Sequence, residues 1–181
     1  MSDQNNEELK NILGNLDDLL SQTDLKDVTS EGNGFQDLPD GYYLGEVEKA
    51  ELTISKKSRE PMVAFQFKII EDGRSSTEDG EFIPLKGTKN RKIFIYYLLK
   101  DDSSIKRFVT DMLKFEGEEA GVPLLEKEYF TNSALIEDAL DVLVGRAIYI
   151  QVSTNEKDDG SKSTWNNMIS WKRAEKIGLM D

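Results

Sequence analysis

The chain has 181 residues, with 35 acids against 23 bases and a formal net charge of -12, a length that allows one well-packed domain with appendages and is short for two. It contains no cysteine and no histidine, which excludes disulfides, thiolate metal sites and every nucleophile system that relies on a histidine base. Six Tyr, eight Phe and two Trp within a 38% hydrophobic content supply a core that a disordered chain would lack.

The acidity is unevenly placed. Residues 1–40 hold ten acids against Lys10 and Lys26, while the rest of the chain carries 25 acids and 21 bases, so the body is free to present a basic face. The opening MSDQNNEELK is polar and acidic where a secretory leader would be basic, and no apolar run approaches the ~20 residues that span a bilayer. In NNEELKNILGNLDDLLSQ the residues Leu9, Ile12, Leu13, Leu16, Leu19 and Leu20 recur at helical spacing. They predict one amphipathic helix, interrupted by Gly14, whose apolar row either docks on the body or binds a partner or a second copy of the chain. Residues 23–37, rich in Ser, Thr, Asn, Asp and Gly, read as a linker.

From residue 41 the period changes to two. YYLGEVEKAELTI predicts a long strand whose alternation slips at Glu48 and Lys49, the signature of a bulge or sharp bend. After the turn KKSREP comes PMVAFQFKII, with Val63, Phe65, Phe67 and Ile69 on the core face. EDGRSSTEDGEFIPLKGTKN reads as a polar excursion, too long for a tight hairpin. RKIFIYYLL is the third strand, in a stretch carrying Lys89, Arg91, Lys92 and Lys100 with no acid. Either Phe94 and Tyr96 or Ile93, Ile95 and Tyr97 face inward, and the isoleucines favour burying Tyr97.

Two helices follow. DSSIKRFVTDMLKFEG has Asp102 or Ser103 as N-cap, an apolar face of Ile105, Phe108, Val109, Met112 and Leu113, and Gly117 as its stop; NSALIEDALDVLVG repeats the scheme from Ser133 to Gly145. RAIYIQVST and STWNNMISWKR are strands joined by the turn NEKDDGSK. Trp165, Ile169 and Trp171 share one parity of the last strand, so each tryptophan is open to a core or a ligand role. The expected fold class is α+β, mainly β: a five-stranded Greek-key barrel of the OB type with a helical insert between strands three and four.

The phrases LPDGYYLGEVEKAEL, KKSREPMVAFQFKIIEDG, RKIFIYYLL and LVGRAIYIQVS, in this order, resemble the single-stranded-DNA-binding proteins of bacteriophage and mobile-element replication modules. The matching positions are Pro39, Gly41 and Tyr43, then Lys57 and Ser58 before the strand Met62 to Ile70, then Arg91 and Lys92, then Leu143 and Gly145. The likeness spans residues 38–173. Two departures stand out: the turn after Lys57 and Ser58 reads Arg59, Glu60, Pro61 where the family carries a glycine, and the chain concentrates acid at its N-terminal end where many relatives have an acidic C-terminal tail.

The resemblance implies a non-catalytic protein of DNA replication or recombination in the bacterial cytoplasm, without cofactor or metal. Residues 1–37 would be an acidic helix and linker, 38–176 the binding domain and 177–181 a tail. An OB barrel stacks bases on aromatics and tracks phosphates with Lys and Arg across strands two and three and the flanking loops. The candidates so implied are Lys56, Lys57 and Arg59; Lys89, Arg91, Lys92 and Tyr96; and Lys162, Trp165, Trp171 and Lys172. Two other classes stay open, an acidic anti-defence inhibitor or DNA mimic and an adaptor working through the N-terminal helix. Carboxylate-only magnesium chemistry needs a paired-acid motif, and none stands out from the solvated acidic dipeptides.

Overall fold

The computed structural model describes residues 2–22 and 38–180; the linker expected over 23–37 and the side chain of Leu19 lie outside the described residues. The chain divides into two units, 1–37 and 38–181.

The first unit contains helix α1 (Ser2–Gln22). It runs unbroken through Gly14, whose position has open space where a Cβ would stand. A mid-helix glycine costs about 1 kcal/mol relative to alanine, which the strong helix formers around it offset. Leu9, Ile12, Leu13, Leu16 and Leu20 are all exposed.

The second unit is α+β, built on one antiparallel sheet of seven strands: β1 (Gly41–Ile54), β2 (Pro61–Ile69), β3 (Gly73–Ser76), β4 (Phe82–Leu85), β5 (Lys92–Leu98), β6 (Ala147–Glu156) and β7 (Lys162–Ile169). Strand β1 organises it. Gly45 and Glu46 pair with Ile69 and Lys68 of β2 on one side and with Ile148 and Ala147 of β6 on the other. The continuous path is therefore β5-β2-β1-β6-β7, with the β3–β4 hairpin joined to the start of β1 at Tyr42 and Arg74. The expected slip is present: the β1–β2 register shifts between Val47 and Lys49, leaving Glu48 as the extra residue. A bulge bends the strand and increases its twist, so the two halves of β1 serve different faces.

Helices α2 (Asp102–Met112) and α3 (Ser133–Leu143) follow β5, with a short 3-10 turn at Lys127–Phe130 between them. They send Phe108, Met112, Ala139, Leu140 and Leu143 into a core shared with Tyr43, Val47, Val63, Phe65, Phe67, Ile69, Ile93, Ile95, Tyr97, Ile148 and Ile150. Burial of each large apolar side chain contributes roughly 1.5–3 kcal/mol. A buried polar link ties α2 to the sheet ends. Tyr97 Oη donates to Asp111 Oδ2 at 2.7 Å, Lys114 Nζ reaches Asp111 Oδ1 at 2.7 Å, and the same ammonium donates to the Met168 carbonyl of β7 at 2.9 Å.

Burial pushes the Tyr97 phenol far above its ordinary range, and the facing Asp111 carboxylate adds to the shift. The hydroxyl therefore stays a donor.

Several expectations need correction. The sheet is open: β5 and β7 share no ladder, and meet through Asn166 Nδ2 donating to the Phe94 carbonyl at 3.1 Å. The excursion after β2 is itself the hairpin β3–β4, turned at Thr77–Gly80 where Gly80 adopts φ 82°. It escapes a period-two reading because both strands are only four residues long and neither alternates, GRSS being mostly polar and FIPL wholly apolar. The last strand stops at Ile169, and Trp171, Lys172 and Arg173 begin helix α4 (Trp171–Ile177), whose N-cap Ser170 accepts from the Arg173 N–H.

The other caps sit one residue earlier than expected. Asp101 caps α2 in a reciprocal box with Ser104, and Asn132 caps α3. Each has extended backbone and a side-chain oxygen on the third following N–H.

Helix α4 covers the outer side of the first half of β1 and of β6. There Tyr42, Leu44, Phe82, Tyr149, Ile169, Trp171, Ala174 and Leu179 form a second cluster. Arg74 Nη2 fastens the end of the chain, donating to Tyr149 Oη at 3.2 Å and to the Leu179 carbonyl at 2.7 Å.

Candidate nucleic-acid interface

Within the second unit, α4 lies over one half of β1, and no described residue of that unit covers the outer face of its other half, together with β2 and β5. The alternation of β5 fixes what that face carries. Ile93, Ile95 and Tyr97 point into the core, so Phe94 and Tyr96 must point out; they are 47% and 58% exposed. Tyr96 stands opposite Ala64, and Phe94 opposite Gln66, in the β2–β5 register. On the next strand Glu51 faces Ala64 and Lys49 faces Gln66. A small residue at 64 thus leaves room beside the Tyr96 ring.

The result is a shallow open groove of about 410 Å³, lined by Lys49, Glu51, Thr53, Ile54, Lys56, Met62, Ala64, Phe65, Gln66, Phe94 and Tyr96. Its floor is apolar and aromatic, and one end is rimmed by the β1–β2 turn. Ile54, 62% exposed, stands at that end. Two flat faces on an accessible sheet can accept planar, weakly polar groups by stacking, and the nearby ammonium groups can meet a chain of anions.

The turn itself is held by the Ser55 N–H donating to the Glu60 carbonyl and the Arg59 N–H donating to the Ser55 carbonyl, both at 2.8 Å. Lys56, Lys57 and Arg59 are exposed on it. Arg59 has φ 61°, in the left-handed region, which costs a residue with a Cβ roughly 1–2 kcal/mol. The glycine expected by resemblance at this turn would sit there without strain.

At the other end of the face, Asn90 takes φ 72° in the tight turn into β5. The backbone N–H of Lys89 donates to Asp72 Oδ1 at 3.0 Å, which leaves its ammonium exposed. Arg91 is half-buried and lies close enough to Tyr43 for its charge to act on the phenol. Lys92 is committed to an ion pair: its Nζ donates to both Glu48 oxygens, at 2.6 and 2.5 Å. Gln66 Nε2 donates to the same carboxylate at 2.9 Å. These bonds, the Lys92 bond first, hold Glu48 below the usual carboxylate range.

The remaining sequence candidates separate. Trp165 is on β7 opposite Ser153, 48% exposed, and β7 approaches β5 at the Asn166 to Phe94 bond. Lys162 is exposed at the start of β7, opposite Glu156. Trp171 is half-buried and packs edge-on against Tyr149 with ring centroids 5.4 Å apart, while Lys172 is exposed on α4. These last two belong to the helix-covered surface and do not join the groove. Sequence reasoning left out Phe94, Ile54, Met62 and Lys49. Phe94 and Met62 were recoverable, since burying Tyr97 forces the first out and the core parity of Val63, Phe65 and Phe67 forces out the second, whereas Lys49 and Ile54 depend on the bulge that shifts the parity of β1.

The Pro39, Gly41, Tyr43 phrase has a packing role. Tyr43 is fully buried and its hydroxyl donates to the Pro39 carbonyl at 2.5 Å. A Cβ at Gly73 would collide with its ring, and one at Gly41 would lie 2.7 Å from the Arg74 carbonyl oxygen. Burial raises the Tyr43 phenol to about 12. The phrase anchors the start of β1 and contributes nothing to the groove.

Among the described residues no helix is long and apolar enough to cross a membrane. No family model matches the chain, and no curated protein matches its sequence significantly.

Proposed function

We propose that the protein binds single-stranded DNA without sequence preference, and acts non-catalytically by coating strands in a phage-type replication or recombination module. The observation that carries this reading is the pair of exposed rings, Phe94 and Tyr96, side by side on an uncovered sheet face with Lys49 and Lys56 at its margin. Exposed aromatics on a sheet are costly to display to water, and stacking on bases gives them a use worth roughly 1–3 kcal/mol per base. The strand order β5-β2-β1-β6-β7, with helices between β5 and β6, supports an OB-type reading in which β1, β2, β5, β6 and β7 are the five barrel strands. In that reading β3–β4 is an added hairpin, and the groove covers the second and third strands where such folds take their ligand.

The N-terminal helix offers a separate surface. Its exposed row of Leu9, Ile12, Leu13, Leu16 and Leu20, set among acids, suits a protein partner of the replication machinery with an apolar, basic-rimmed groove.

The test is fluorescence anisotropy of a labelled oligo-dT about 30 nucleotides long, titrated at two salt concentrations with duplex of equal length as competitor. Salt-sensitive binding that duplex fails to displace is the expected result. An absence of binding at the lower salt overturns the reading in favour of an acidic inhibitor acting through protein contacts.

A further inference from the structure

Beside the aromatic pair, the sheet already holds an anion supplied by its own chain. The bulge turns both Glu48 and Lys49 outward, and the Glu48 carboxylate reaches across β2 to take Lys92 Nζ on both oxygens and Gln66 Nε2 on one. Lys68 stands directly opposite Lys92 in the β2–β5 register, an arrangement of like charges that is unfavourable unless an anion lies nearby. A phosphodiester presents what Glu48 presents, two oxygens sharing one negative charge, and can accept the same donors.

We propose that Lys92 and Gln66, with Lys68 beside them, form a backbone-phosphate subsite of the single-strand groove, which Glu48 occupies in the free protein and yields when DNA binds. The inference rests on the single-strand reading above and specifies how the face meets the strand. The face is charge-balanced, since Lys49 pairs with Glu51 at 3.6 Å and Glu46 stands opposite Lys68. Phosphate binding at this subsite is therefore an exchange of one anion for another. Lys92 contributes little net attraction in the native protein, and the released Glu48 takes up cations that offset those leaving the DNA. Glu48 thus lowers affinity and flattens the salt dependence, which favours release of the strand.

The experiment compares the native chain with Glu48→Gln, Glu46→Gln, Lys92→Met and the double variant Glu48→Gln with Lys92→Met, titrating oligo-dT across a series of salt concentrations. Glu48→Gln should tighten binding about fivefold at low salt and steepen the logarithmic salt slope by about 0.7, the increment for one further phosphate contact on a single strand. Glu46→Gln removes the same charge but relieves only the neighbouring Lys68 and leaves Lys92 paired with Glu48, so it should change affinity less, and the gain should vanish when Lys92 is also replaced. Native-like affinity in Glu48→Gln, a gain equalled by Glu46→Gln, or a gain that survives loss of Lys92 overturns the subsite while leaving the single-strand reading intact. If neither the native chain nor Glu48→Gln binds at the lowest salt, the single-strand reading falls and the subsite with it. Binding by Glu48→Gln alone supports both.

Discussion

Replacing Tyr97 by Phe probes the group that sets the parity of β5. The ring would keep its place against Phe65 and Phe108, with centroids at 6.0 and 5.4 Å, and only the hydroxyl would go. Asp111 would keep Lys114 at 2.7 Å on one oxygen and lose its 2.7 Å donor on the other. A buried hydrogen bond to a charged partner contributes about 1.5–3 kcal/mol. Partial compensation by Lys114 places the expected loss near 2 kcal/mol. For a domain of this size that corresponds to a fall of about 4–8 °C in Tm. Urea denaturation followed by circular dichroism gives the free energy directly, and an unchanged slope would show that the native state stays compact. Oligo-dT affinity should not move, because Tyr97 is buried beneath the groove. A loss below about 0.5 kcal/mol would refute the view that this hydroxyl holds α2 against the open β5–β7 seam.

Phe94→Ala and Tyr96→Ala should each weaken oligo-dT binding by roughly 1–3 kcal/mol, measured by anisotropy, with melting temperatures close to the native value because both rings are exposed. Arg59→Gly relieves a left-handed φ and should stabilise the fold by about 1 kcal/mol, read from the urea midpoint. The same change should weaken DNA binding if the strained arginine is retained for phosphate contact. The Lys92 bond holds the Glu48 carboxyl below the usual carboxylate range, so the ion pair contributes stability above the unfolded carboxylate pKa and loses it as pH falls through the lower folded pKa. Acid titration of stability should accordingly show a shallower loss in Glu48→Gln than in the native chain.

How far the sequence revealed this site depends on the range of the interaction concerned. Tyr97 could be assigned to the core from its two isoleucine neighbours, and the bulge from the break in alternation at Glu48 and Lys49, because both are local consequences of side-chain period. The edge hairpin β3–β4 was hidden because its strands, GRSS and FIPL, are four residues each and show no alternation. Helix α4 was hidden because the apolar parity of Trp165 and Ile169 runs on through Trp171, and only the end of the β6–β7 ladder at Ile169 frees Ser170 to act as a cap. The pairing of Lys92 with Glu48 joins residues 44 apart across an intervening strand, and nothing in the local pattern of either residue announces it. That pairing alters the reading of Lys92 from an available phosphate ligand to one already engaged.

The proposed function requires single strands to lie on the outer face of β1, β2 and β5. Titrating uniformly labelled protein with oligo-dT and following backbone amide shifts by nuclear magnetic resonance tests it most directly. The largest shifts should fall at Lys49–Lys56, Met62–Gln66 and Lys92–Tyr96, with α4 little changed. Binding accompanied by shifts centred on Trp171 and Lys172, on the β3–β4 hairpin or on α1, with the groove silent, would contradict it.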